Sequence, residues 1–172
     1  MLSKRVQVLG ESLTIEISTK AKEMKARGED VISFGAGEPD FDTPEIIKNE
    51  VKSALDKGCG KYTAVAGTPE VREAVAAKLK RDNGLNYAPN QIITNVGAKH
   101  SLFNVFQALI DEGDEVIVPS PYWVSYPEMV KFSGGKPVFI ETSEKTGFKI
   151  TPEQLKAAIT PRTKILVLNS PC

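Results

Sequence analysis

"VIVPSPYWVSYPEM", residues 116–129, reads as a strand, its exit and the approach to a helix. Val116, Ile117 and Val118 form an unbroken apolar run, the pattern of a strand buried on both faces. Pro119 and Pro121 stop it, because proline has no N–H to give to a ladder. Three aromatic side chains follow at once: Tyr122, Trp123 and Tyr126. A tryptophan at a strand exit can stack on a flat ring, or it can pack beneath the next helix. Spacing leaves both readings open.

Outward from this stretch the same rhythm recurs. Ile92-Ile93-Thr94, Val138-Phe139-Ile140 and Ile165-Leu166-Val167-Leu168 are further strand-like runs, with helical or mixed segments between them. The clearest helix spans 98–110, with Leu102, Val105, Phe106 and Leu109 on one face. Buried strands alternating with helices predict an α/β fold with a doubly wound, mostly parallel sheet. The first 40 or so residues do not fit the rhythm. There Leu13, Ile17, Ala21 and Met24 keep helical spacing, Gly28 is a stop, and Val31-Ile32-Ser33-Phe34 reads as a short strand.

The tripeptide Thr-Pro-Glu occurs at Thr43, Thr68 and Thr151, with flanks that do not match one another. Each reads as a helix start. Threonine caps the first free N–H groups, proline suits the first helical position, and glutamate suits the positive end of the dipole. Apolar stripes follow: Ile47, Val51, Ala54 and Leu55; Val71, Ala74, Val75 and Leu79; Leu155, Ala158 and Ile159. Gln154 completes a capping box with Thr151.

Composition narrows the function. Lys+Arg and Asp+Glu both number 22, so the net charge is zero. A broad electrostatic surface for nucleic acid or an anionic membrane is thereby excluded, though a local anion site is not. No apolar run reaches the length of a membrane span, and the start is too short in apolar residues for a signal peptide. Cys59 and Cys172 have neither metal-ligand nor CxxC spacing. The reading is a cytoplasmic protein with free thiols and no metal.

In open α/β sheets ligands gather where strands end, so the strand exits are the candidate sites. At "VISFGAGEPDF", residues 31–41, Gly35 and Gly37 form GxG after a run that reads as a strand. A dinucleotide fingerprint needs a third glycine where Asp40 stands, and Pro39 blocks a helix starting at the glycines. A plain glycine turn remains, as does a role for Gly37 in letting backbone N–H groups approach a carboxylate. At "IITNVGAKHSLFN", residues 92–104, the chain turns at Gly97 directly into a helix. Unpaired N–H groups of Gly97, Ala98 and Lys99 would point out of that helix start and, with its dipole, suit a phosphate. The alternative is a simple turn in which Lys99 only screens charge. GxxxxGK[ST] is absent, so this is not a Walker loop. His100, the sole histidine, follows in the helix and reads as structural or exposed.

Taken together, "AGEPDFDTPE", "KYTAVAGTPEVREAV", "GAKHSLFN", "DEGDEVIVPSPYWVSYPEMV" and "ITPRTKILVLNSP" resemble the bacterial class I aspartate aminotransferases. These are fold-type I enzymes that use pyridoxal 5'-phosphate. The resemblance runs from about residue 4 to residue 171. It implies that Gly97, Ala98 and Lys99 hold the cofactor phosphate and that Trp123 stacks on the pyridine ring and shapes the substrate site. Gly37 would contact the substrate α-carboxylate through its backbone. Tyr62 would reach the cofactor phosphate of a neighbouring subunit, which implies a homodimer with shared sites. Residues 1–42 would be an N-terminal arm and part of a small domain, and 43–172 the first portion of the large cofactor-binding domain. The substrates implied are an amino acid, aspartate or glutamate first, and a 2-oxo acid.

No lysine of this chain stands in the family's Schiff-base context, and the family's carboxylate partner of the ring nitrogen is not found either. The chain is therefore expected to be an N-terminal part that does not catalyse alone. The competing reading is a non-catalytic chain that keeps a phosphate cradle.

Overall fold

The computed structural model describes residues 2–10, 12–35 and 37–170. Pro171 and Cys172, and with them the end of the expected final turn, lie outside the described residues. The elements run in the order α1 (Lys4–Gln7), α2 (Leu13–Ala26), α3 (Glu45–Asp56), α4 (Pro69–Asn83), α5 (Gly97–Leu109), β1 (Glu115–Pro119), α6 (Ser125–Phe132), β2 (Lys136–Ile140), α7 (Pro152–Ala158) and β3 (Thr163–Leu166). Short 3-10 turns cover Pro89–Gln91 and Glu144–Thr146. Two compact units result: residues 1–36 with 102–172, and residues 37–101.

In the first unit the three strands form a parallel sheet in the order β2-β1-β3. The chain steps from β1 to β2 on one side, then crosses back over β1 to reach β3. Right-handed connections running in opposite directions are what make a sheet doubly wound. The central strand is sealed from water: Val116, Ile117 and Val118 have no exposed surface. Side chains alternate across a strand, so Val116 and Val118 share one face. They join a core with Phe106 of α5, Ile110 just after it, Met129 and Val130 of α6, and Val167. Full burial of each such side chain contributes about 1.5–3 kcal/mol.

The amino end of β1 carries a buried carboxylate. Glu115 is 3% exposed. It accepts from the Thr160 hydroxyl at 2.7 Å and from Arg162 Nη2 at 3.1 Å, with Lys136 Nζ at 3.7 Å. The Thr160 hydrogen bond, with Arg162 and Lys136 behind it, holds its carboxyl below the usual range despite burial. Charge this deep persists only when partnered, and the partners lead into β2 and β3.

Several sequence expectations change. Residues 31–34 form no strand, and Ile32 and Phe34 are 79% and 94% exposed. Residues 92–94 are not in a ladder; Ile92 is extended, and Thr94 donates its N–H to the Ala66 carbonyl at 3.1 Å. A β-branched run becomes a strand only where a neighbour supplies ladder partners, and none of the three strands pairs with either run. The last strand sits at Thr163–Leu166, two residues earlier than the apolar run suggested, although Val167 N still donates to the Ile117 carbonyl at 2.9 Å.

Within the second unit, α4 starts as read: Thr68 accepts from Val71 N–H at 3.4 Å, and Pro69 opens the helix. Thr151 does the same for α7 in the first unit, with Gln154 closing the capping box. Thr43 does not cap α3, where Pro44 takes the cap position without a side-chain bond. The apolar stripe of α3 meets water, with Ile47 51%, Val51 54% and Leu55 63% exposed.

Candidate functional site

The exits of β1 and β3 converge on one cavity in the first unit. It has a volume of about 270 Å³, and its lining includes Ser120, Tyr126, Lys149, Asn169 and Ser170. This is where the carboxyl ends of parallel strands place ligands. The aromatic side chains that follow β1 differ in what they touch. Tyr122 stacks on Phe139 of β2, with ring centroids 4.9 Å apart and planes 15° apart. Tyr126 lines the cavity, as does Tyr122. Trp123 stays half-exposed at the strand exit, and its carbonyl accepts from Tyr126 N–H at 3.0 Å. Core packing is thus the fate of Tyr126, which packs against the buried cluster, while Tyr122 and Trp123 stay 36% and 47% exposed.

Lys149 on that cavity was missed by the sequence. It arrives on the loop after β2, next to Phe148, whose φ of 55° is in the left-handed region. Nothing in "KTGFKI" marks it, because only the folding back of the β2–α7 connection brings it to β1.

The helix start at α5 lies in the second unit. Gly97 adopts φ 79°, which an L side chain takes only with strain, and a Cβ there would meet nothing within 4 Å. One expectation is corrected: the Gly97 N–H is not unpaired but donates to the Asn95 carbonyl at 2.9 Å. Ala98 N–H has no such acceptor among the described residues. Side chains knot the turn from below. Asn95 Nδ2 donates to Ser101 Oγ at 3.1 Å, Ser101 Oγ donates to the Gly97 carbonyl at 3.4 Å, and Val96 N–H donates to His100 Nδ1 at 3.3 Å. A helix start with an open face, a free N–H and Lys99 in its first turn fits a phosphate. This is also the fit that a phosphorylated cofactor requires.

The two glycines of GxG differ. In the first unit a Cβ on Gly35 would fall 2.8 Å from Ile17 Cγ2 of α2, so that glycine answers to packing. A Cβ on Gly37, in the second unit, would meet nothing within 4 Å. No packing reason explains it, which leaves its backbone accessible to a ligand. Tyr62, also in the second unit, projects its side chain wholly into solvent. Cys59, three residues earlier, is an exposed free thiol.

Elsewhere in the first unit a larger cavity, about 650 Å³, opens between Leu9–Gly10 and α6. Phe103, Phe132 and Phe139 line it, and its carboxylate Glu128 is engaged by Lys131 at 2.8 Å and Gly10 N–H at 2.9 Å. Of the three aromatic side chains at the exit of β1, Tyr122 reaches it. Among the described residues no cluster of three His, Cys, Asp or Glu could hold a metal, and no helix is long and apolar enough to cross a membrane.

Comparison with known proteins agrees with this architecture. The family model "Aminotransferase class I and II" matches residues 29–172. An aspartate aminotransferase of Geobacillus stearothermophilus is 56% identical over 99% of this chain and 43% of its own length. An aspartate/prephenate aminotransferase of Thermus thermophilus is 54% identical over 99% of this chain and 44% of its own length. Among solved structures, aspartate aminotransferase from Thermus thermophilus with maleate superposes with a TM-score of 0.96 at 53% identity. That match covers 100% of this chain and 45% of the other. The chain therefore spans less than half the length of these relatives.

Proposed function

Because the chain belongs to the class I and II aminotransferases, we propose that the protein carrying it moves an amino group from an amino acid to a 2-oxo acid. The family implies pyridoxal phosphate as cofactor, and relatives named for aspartate or for aspartate and prephenate favour aspartate and glutamate as donors. A Thermus relative solved with maleate adds a four-carbon dicarboxylate to the ligands such a site takes.

When bound, pyridoxal phosphate supplies the electron sink that lets an amino acid lose its α-proton. This chain's own residues bind and orient. The start of α5 at Gly97, Ala98 and Lys99 would hold the phosphate dianion, Gly97 by leaving its face open, Ala98 by its backbone N–H and Lys99 by its ammonium charge, with the helix dipole behind them. Trp123, 47% exposed at the exit of β1, would cover the flat ring. Gly37 lets the backbone approach the α-carboxylate, since no side chain stands over it. Tyr62 reaches out to the phosphate of a second subunit in a homodimer, consistent with its fully exposed ring. Residues 1–42 form the arm and part of a small domain, and 43–172 the first portion of the large domain. No lysine here has the family's Schiff-base context, so in this reading the cofactor-bearing lysine lies outside these residues and the 172-residue chain alone is expected not to transaminate. The activity belongs to the cytoplasm.

The open, knotted helix start at Gly97 carries this reading. Its test is spectral titration of the complete protein with pyridoxal phosphate, followed by turnover with aspartate, glutamate and aromatic donors against 2-oxoglutarate. Saturable binding with fastest turnover of a dicarboxylic donor is expected. Binding of phosphate without any turnover would favour a non-catalytic phosphate-binding protein instead.

A further inference from the structure

His100 takes no part in the proposed chemistry, yet it occupies a pivotal place at the start of α5. Its Nδ1 accepts the Val96 N–H at 3.3 Å. An imidazole nitrogen accepts only when it carries no proton, so this bond uses the tautomer that keeps its proton on Nε2. The bond spans four residues, from the first turn of the helix back to the residue before it. A capping box does the same with the side chain at the third helical position; here the fourth position performs it.

The bond matters because Val96 is joined directly to Gly97. Gly97 has no Cβ and enters a left-handed conformation at φ 79°, one of several open to glycine at similar cost. Gly97 alone cannot select it. The Gly97 N–H bond to the Asn95 carbonyl closes the turn, and three side-chain bonds brace it: Ser101 to the Gly97 carbonyl, Asn95 to Ser101, and the Val96 N–H to His100. The first two grip Asn95 and the Gly97 carbonyl, while His100 grips the Val96 N–H side of the turn. Losing it leaves the Asn95–Val96 peptide held at its carbonyl, by the Gly97 N–H at 2.9 Å, but no longer at its N–H, and a cradle that must order itself on binding loses affinity.

We propose that His100 is a positioning residue for the cofactor phosphate: it fixes the Val96–Gly97 turn through Nδ1, so that Ala98 N–H and Lys99 are presented in a preset arrangement. The proposal rests on the phosphate-cradle reading of Gly97–Lys99. His100 does not itself touch the phosphate. The sequence offered no signal for it, because a lone helical histidine is compatible with a merely exposed one.

The test compares the complete protein with three variants, measuring affinity for pyridoxal phosphate and for pyridoxal, which lacks the phosphate. Asparagine places its side-chain oxygen near the Nδ1 position, glutamine places it one bond farther, and alanine has none. One net hydrogen bond corresponds to about threefold to tenfold in affinity. His100→Ala and His100→Gln are expected to lower the preference for pyridoxal phosphate over pyridoxal by that factor, and His100→Asn to restore it. Hydrogen exchange at the Val96 amide should speed up in the alanine variant only together with that loss. Faster exchange with an unchanged preference overturns the proposal, as does an equal loss for both ligands, which marks a general effect on folding. Equal behaviour of the asparagine and alanine variants also overturns it. A parent protein with no preference for pyridoxal phosphate over pyridoxal removes the cradle reading itself, whatever the variants do.

Discussion

Gly97 and Gly37 separate two reasons for a glycine. At Gly97 the backbone itself demands it: φ is 79°, and a left-handed L residue costs about 1–2 kcal/mol. Gly97→Ala is expected to lower stability by about 1 kcal/mol without any clash, since the added Cβ meets nothing within 4 Å. Gly97→Val should in addition crowd a phosphate and weaken pyridoxal phosphate binding. Denaturant midpoints and cofactor titration of the complete protein check both, and an unchanged midpoint for Gly97→Ala would contradict the strain argument. Gly35→Ala drives a Cβ to 2.8 Å from Ile17 Cγ2 and should destabilise. Gly37→Ala should leave the midpoint unchanged and raise KM for the amino donor. A raised KM at Gly35 alone would move the carboxylate contact there.

Three Thr-Pro-Glu tripeptides look alike in sequence and act differently as helix starts. Thr151 accepts from Gln154 N–H at 3.2 Å inside a full capping box, Thr68 from Val71 N–H at 3.4 Å, and Thr43 caps nothing. The Glu70 and Glu153 carboxyls are held low by their own backbone N–H and then by the cap threonine. Thr151→Ala should cost about 1 kcal/mol, Thr68→Ala less, and Thr43→Ala under about 0.5 kcal/mol, read as denaturant midpoints. An equal cost at all three would show that the tripeptide, not the bond, matters. The strands hang on Glu115. Its folded carboxyl titrates below the usual range, chiefly because Thr160 donates to it. A depressed folded pKa gives stability that is full above the unfolded value, about 4.3, and lost as pH falls through the folded value. The gap in stability between the parent and Glu115→Gln should therefore be widest near neutrality and close on acidification. A gap that widens below pH about 4 would refute this sign.

At the scale of the whole molecule, apolar surface is the dominant feature of the second unit: Ile46 is 79%, Leu55 63% and Val65 95% exposed. Patches of this kind mark surfaces that other protein covers. The 172-residue chain by itself is expected to bind a hydrophobic dye and to self-associate, and Val51→Lys on the open face of α3 should reduce both without lowering the denaturant midpoint. An unchanged dye signal would show that α3 is not the source. The alternation of apolar runs and helical stripes determined the fold class, because burial on both faces and a period of 3.6 residues are local properties of a chain. It determined β1, the caps at Thr68 and Thr151, and the glycine turn into α5 for the same reason. Only tertiary structure decided that residues 31–34 and 92–94 remain without ladders, because a strand exists through its neighbour's hydrogen bonds. It alone decided that Tyr126 packs against the core while Tyr122 and Trp123 stay partly exposed, that Lys149 reaches the exit of β1, and that the one histidine bonds the turn before Gly97. Those outcomes depend on which distant atoms arrive within about 3 Å of each other, and sequence spacing carries no record of that distance.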